Sequence, residues 1–365
     1  MSQITKIRRA FKRLSGPERV AALFLSIYLL VALLGPVSGW LILPNELGQT
    51  LQPPFAMDGV NSRTMHWLGT DHLGRDVLAN LIYGARTALW VSLPAMLLAT
   101  IIGLVLGSVA GFWGNQGLAI SVAGGIFVFL GAMLAFYYGI YLRQIAWRQA
   151  LQEGSASMLG EAVKTSFIFI IVALFSWLAV KAWRKIGPDK RISLPADQLV
   201  LKSIEIVGAL PRILLVLCLT AFAQPAVLTV ILLSAFTYWT GIARLVRGEL
   251  LQVKQLSYIE AARVAGLAEK RILFRHALPN ALPPVIVAFA FGLGNLMSLE
   301  ATLSFLGIGI PVDVPSWGRL LRGIRTDFTA WWLLVFPTVL LCGTILSLQT
   351  LAQFCLRMLD PTRNK

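Results

Sequence analysis

Residues 257–280 read SYIEAARVAGLAEKRILFRHALPN, a segment of small and charged side chains set between two long apolar runs. Ser257 is placed to cap a helix, with Glu260 three positions later to complete a capping box. Ala261, Ala262 and Ala265 keep that short helix low, so another surface can approach it closely, and Gly266 is placed to end it. A second helical piece is expected from Glu269 to Ala277, stopping at Leu278 and Pro279. A connection between two packed helices needs about 2 to 8 residues, and this one is far longer. Its length and pattern suit a docking element. The competing reading is an amphipathic segment held on anionic lipid.

The rest of the chain says what such an element is attached to. At 57% hydrophobic and 13% charged residues, with a mean hydropathy of +0.73 over 365 residues, the sequence lacks the polar side chains a water-soluble surface requires. The expected fold class is an all-α polytopic membrane protein, because a helix satisfies its own backbone in hydrocarbon. Apolar runs suggest about eight spans, near 20–42, 88–111, 119–142, 164–183, 200–222, 226–246, 283–305 and 333–356. The first is read as a retained span, since no A-x-A-like cleavage site follows it.

The net charge of +15 is concentrated in a few short loops and tails, which describes topology better than a nucleic-acid surface. Lys6, Arg8, Arg9, Lys12, Arg13 and Arg19 precede the first span, and Lys181, Arg184, Lys185, Lys190, Arg191 and Lys202 fill a later connection. Both are expected in the cytoplasm, together with the 248–282 loop and a 357–365 tail carrying Arg357, Arg363 and Lys365. Residues 43–87 then form an outer segment, and the link from Arg143 to Lys164 also lies outside. Arg319, Arg322 and Arg325 go against this rule in an outer loop, beside Asp313 and Asp327.

Gly103, Gly107 and Gly111 recur every four residues, a ridge without side chains on which a neighbouring helix can lie. Cys218, Cys342 and Cys355 fall in apolar runs, where thiols behave as small hydrophobes, so neither a disulfide nor a metal site is expected of them. Glu300 sits in an apolar span and is a candidate for lining a translocation path. Glu205 is similar in kind, with Lys202 three residues before it. Trp331 and Trp332 mark a membrane interface. His66, Asp71, His72 and Asp76 crowd one outer segment, a chemistry open to a divalent metal, while Arg75 and Asp76 also suit pairing or capping a helix from Val77. No G-x-x-x-x-G-K-[ST] loop, HExxH or GxSxG occurs, and the three histidines form no plausible catalytic set.

Glu260, Ala261, Ala262, Gly266, Leu278 and Pro279 stand as in the EAA…G…LP signature, and here the chain resembles the membrane subunits of ABC importers. HWLGTDHLGRDVLANLIYGARTAL from His66, SLEATLSFLGIGIPVDVPSWGRLL from Ser298 and the ending LDPTRNK are similar to one permease type of the dipeptide, oligopeptide and nickel importers. The resemblance implies a type I importer permease fold, like the transmembrane domain of methionine importers. It also implies that the 260–266 helix couples to ATPases. It makes the segment with His66, Gly69, Asp71, Gly74, Arg75 and Asp76 a structural turn, with no metal. The expected partners are a second permease, two ATPase subunits carrying ATP and Mg, an extracytoplasmic binding protein and the bilayer. Members commonly have six spans, so the pair within about 119–183 is an insertion between the usual second and third. The expected function is import of a peptide or other small solute, with no enzymatic activity on this chain. Two rivals are an ion-coupled secondary transporter, which needs mid-membrane ionisable groups and inverted repeats, and a scaffold that keeps only the docking loop.

Overall fold

The computed structural model describes residues 14–35, 50–55, 66–115, 119–153, 155–186, 191–222 and 225–359. The basic residues at 6–13, Lys190, the tail from 360 and much of the 43–65 segment lie outside these. The chain is mostly helical and forms two compact units, residues 1–112 with 199–365, and residues 113–198. Among the described residues seven helices are long and apolar enough to cross a membrane, or eight if one bent pair counts as a single span.

The larger unit is built around two parallel helices, α2 (Val77–Ser108, extended by a π turn at Val109–Trp113) and α8 (Val227–Val253). Their contact follows from the glycine ridge. A Cβ on Gly103 would come within 2.6 Å of the Ile242 side chain, one on Gly107 within 2.6 Å of the Ala243 carbonyl, and one on Gly111 within 2.9 Å of the Arg247 carbonyl. Only glycine permits that backbone approach along the whole seam, and dispersion between close-packed surfaces then holds it in an environment where apolar burial alone gains little. Val200 and Ile204 of α6 (Ala196–Gly208) pack with Ala99, Ala110, Trp239 and Ala243 against this seam.

α6 and α7 (Arg212–Phe222) cover the span expected over 200–222, and the axis bends by 76° between them. Pro211 lacks the N–H that would continue the ladder and disfavours helix at the residue before it. The remaining helices of this unit are α1 (Gly16–Leu34), α9 (Ser257–Val264), α10 (Glu269–Ile272), α11 (Leu278–Leu306), α12 (Trp317–Gly323) and α13 (Trp332–Leu359). α1 lies on α13, where the Phe24 ring fills the space above Gly343 and Arg357 pairs with the buried Glu18. Polar side chains tie distant segments together. Tyr28 donates to the Ala85 carbonyl (3.0 Å), Trp317 Nε1 to the Leu81 carbonyl (2.9 Å) and Trp332 Nε1 to the Thr70 carbonyl (3.1 Å). Each gives a buried hydroxyl or indole donor the partner it would otherwise be costly to lack.

The smaller unit is a hairpin of α3 (Val122–Phe136, with a π turn at Tyr137–Tyr141) and α5 (Ser155–Ile186). Gly131 opens space for Ser176, and Gly139 lies under the Phe169 ring. A short antiparallel ladder, β1 (Ala119–Ser121) with β2 (Arg191–Ser193), closes one end in the register Ala119 to Ser193. The 143–164 link is helical, as α4 (Gln144–Glu153) and the first turns of α5. There Arg143 and Lys164 both pair with Glu161, and Trp147 Nε1 donates to Thr165 Oγ1 at 3.1 Å.

Candidate functional site

α9 begins where α8 runs out. Lys254 caps α8 and its Nζ donates to the Phe112 carbonyl at 2.7 Å, so the end of α2 and the start of the 254–280 stretch are joined. The N-cap of α9 is Leu256, with extended backbone and no side-chain cap, and Ser257 is already helical. The capping box expected from Ser257 and Glu260 is therefore absent. Leu256 takes the extended conformation that Ser257 would have needed, and the carboxylate of Glu260 stays in solvent with no hydrogen bond to a described residue.

The other end is as the spacing suggests. The Gly266 N–H donates to the Arg263 carbonyl (2.9 Å) and the Leu267 N–H to the Ala262 carbonyl (3.2 Å), a Schellman closure in which Gly266 has φ +76°. An L side chain there costs about 1–2 kcal/mol in the left-handed region.

The helix is amphipathic in an unusual direction. Ile259 is fully buried and anchors it, while Val264 is 90% exposed, with Glu260, Ala261 and Ala265 also exposed. Arg263 is held back by Glu269 (Nε to Oε1, 3.0 Å) and by the Phe112 ring. Asn280 donates to the Tyr258 hydroxyl at 2.6 Å and so ties α9 to the foot of α11. The helix expected to stop at Leu278 and Pro279 does not stop. α10 passes through a π turn at Leu273–Ala277 directly into α11, giving one helix over Glu269–Leu306. A proline in a regular helix clashes with the carbonyl four residues back, and for Pro279 that residue, Arg275, lies in the wider turn.

At the opposite end of α2, the segment from His66 is a closed polar turn. Asp76 Oδ1 caps α2 by accepting from the Ala79 N–H (2.8 Å), and its Oδ2 meets His66 Nδ1 (2.8 Å). Asp71 Oδ1 accepts from the backbone N–H groups of Leu73 (2.8 Å) and Arg75 (2.9 Å). Gly69 and Gly74 have φ of +80° and +70°, which the turn requires. Among the described residues no group of three or more His, Cys, Asp or Glu side chains is placed to hold a metal.

Glu300 is enclosed within the chain. It is 1% exposed, and its Oε1 accepts from Ser304 Oγ (2.8 Å) and from Ser316 Oγ (2.7 Å). Ser316 also caps α12 by accepting from the Gly318 N–H at 3.2 Å, so this carboxylate joins α11 to the loop that starts α12. Sequence reading missed Ser316, sixteen residues away, although Ser304 one turn on was a visible signal. Lys202 and Glu205 pair at 3.1 Å on the exposed face of α6.

The three arginines that break the charge rule are structural. Arg319 donates to the carbonyls of Pro311 (2.7 Å), Val312 and Val314 (2.7 Å), Arg322 packs over Gly307, and Arg325 lies on the Phe305 ring. Burial, then the nearby Arg75, lowers the pKa of Arg319 from its ordinary value. The three thiols are free and exposed.

Residues 190–364 match the family described as binding-protein-dependent transport system inner membrane component. Among similar chains, the dipeptide transport system permease protein DppC of Bacillus subtilis is 27% identical, over 96% of this chain and 84% of its own length. The oligopeptide transport system permease protein OppC of the same organism is 24% identical over 82% and 73%. The glutathione transport system permease protein GsiD of Pectobacterium atrosepticum is 28% identical over 81% and 72%. Together with its long apolar helices, these place the chain as a multi-pass inner-membrane permease subunit of an ATP-binding cassette importer, a transport component whose ATP hydrolysis is carried out by separate subunits.

Proposed function

We propose that this permease imports short peptides and that α9 is the helix through which the ATPases drive it. The observation that carries the second part is the surface of α9. Its one buried apolar residue, Ile259, fixes it to the unit, while Val264 and the carboxylate of Glu260 are left without partners among the described residues. An apolar side chain 90% exposed on an ordered, glycine-capped helix suits a cleft on another protein. The peptide reading rests on the substrates named for the relatives.

In this reading α9 and both chain termini face the cytoplasm, where Arg19, Lys254, Lys270, Arg271 and Arg275 belong by the positive-inside rule. The chain works beside a second permease of like fold, with two ATPase subunits that hold ATP and Mg, and an extracytoplasmic binding protein delivers the peptide. Dimerisation of the ATPases on ATP moves α9, and the continuous helix from Glu269 to Leu306 carries that movement through the bilayer. The Lys254 contact to Phe112 passes it to α2 as well. Such a transmission requires α9 to bind the ATPases more tightly in one state than in the other, since equal affinity shifts no equilibrium.

The test is the ratio of peptide uptake to ATP hydrolysis in the reconstituted complex. Glu260→Trp and Gly266→Val are expected to keep hydrolysis while uptake falls by about tenfold or more, a loss of about 1.4 kcal/mol of coupling. Uptake that stays at the wild-type level in both variants contradicts the assignment.

A further inference from the structure

At the end of the larger unit where α2 and α8 both begin, opposite the end that carries α9, a cleft of about 380 Å³ opens between these helices and the loop before α12. Its volume falls within the range of about 300–1,000 Å³ usual for ligand sites. Tyr83, Arg86, Thr87 and Trp90 line it from α2, Val227 from α8, and Asp313 from the loop.

The chemistry of this lining is unlike that of the larger, apolar cavity beside α1. A cation and an anion share one cleft, and the side chain of neither Arg86 nor Asp313 makes a hydrogen bond or an ion pair with the other or with any described residue. Asp313 feels the charge of Arg319, but that guanidinium is committed to the carbonyls of Pro311, Val312 and Val314. That staple holds the residues on either side of Asp313 in place, so the carboxylate is positioned without being neutralised. Trp90 is 56% exposed beside it, a large apolar surface next to two charges.

We infer that this cleft is a binding subsite for a molecule carrying both a carboxylate and an ammonium group, a short peptide with free ends. Arg86 takes the carboxylate, Asp313 takes the ammonium group, and Tyr83 and Trp90 flank the bonds between them. A guanidinium suits a carboxylate because its planar donors can meet both oxygens. A positioned carboxylate accepts the three donors of an ammonium group equally well. The inference rests on the peptide reading given above and narrows it to unblocked termini.

The probe is trialanine in three forms: free, N-acetylated and C-terminally amidated. Saturation-transfer NMR on the purified permease and ATPase complex, without binding protein, reads the permease cleft alone. Wild type is expected to bind free trialanine about tenfold more tightly than either blocked form, the size of one charge-assisted contact. Arg86→Gln is expected to abolish the distinction between free and amidated peptide while keeping that between free and acetylated. Asp313→Asn is expected to do the reverse. These are ratios within one preparation, so they do not depend on how much complex assembles, and both side chains are exposed. Wild type that fails to bind trialanine or to prefer the free form overturns the subsite, and so do variants that keep both wild-type ratios or lose affinity for all three forms equally. Uptake of trialanine by the complete transporter in proteoliposomes separates the two levels. No uptake of any form sinks the peptide reading itself, whereas uptake without terminal discrimination at the cleft sinks only the subsite.

Discussion

The two units of this permease are both built from apolar helices, yet they are held together differently. In the larger unit, half of the most apolar window of α8 is buried within the chain, and side-chain hydrogen bonds join residues as far apart as Glu18 and Arg357. In the smaller unit only 6% of the corresponding window of α5 is buried, and a side-chain hydrogen bond such as Trp147 to Thr165 joins residues only 18 apart. Phe129, Phe175 and Val163 of that hairpin are each more than 60% exposed. Both sequences pass the same test for a membrane span. The difference teaches that hydropathy identifies what lies in lipid, whereas small residues and paired polar groups identify what packs against protein.

The glycines provide the sharpest way to break this contrast. Gly107→Leu drives a side chain into the Ala243 backbone and is expected to destabilise the chain by about 3 kcal/mol or more, the upper end of overpacking. Gly124→Ala in the smaller unit meets its nearest neighbour at 3.6 Å, an ordinary contact, and is expected to change stability by less than about 0.5 kcal/mol. Thermal melts of both variants in one detergent make the comparison, and equal shifts would break it.

Next in size is the buried carboxylate. Glu300→Ala removes the acceptor for Ser304 and Ser316 and is expected to cost about 1–3 kcal/mol, with Glu300→Gln recovering much of it. The same melts check this, and full stability in the alanine variant would show that the link between α11 and α12 is dispensable. Removing the cap of α2 by Asp76→Ala is expected to cost about 1 kcal/mol, and amide exchange should quicken first in the turn from Val77. The smallest effect is reserved for the exposed face of the hairpin, where Phe175→Ala is expected to shift stability by less than about 0.5 kcal/mol.

How much of this was legible in the sequence depends on how far a residue's partner lies from it. The glycine ridge was readable because four-residue spacing is itself the geometry of one helix face. The Gly266 stop was readable because its hydrogen bonds span a few residues, whereas the turn from His66 followed only from the resemblance, since part of its bonding reaches back to Leu51 and Gln52. The start of α9 was misread by one position, since Ser257 and Leu256 compete for the cap and only the extended backbone of Leu256 decides it. Whether a proline such as Pro211 bends a span or breaks it is set by the helices around it. The environment of Glu300 depended on Ser316, and those of Arg319 and Arg325 on carbonyls and a ring that no local pattern displays.

One measurement tests the central claim most directly. A photo-reactive residue placed at position 264, on the exposed apex of α9, should cross-link in membranes to the nucleotide-hydrolysing subunit, and the yield should change between ATP-bound and nucleotide-free complex. Adducts with lipid alone, or a yield indifferent to nucleotide, would contradict it.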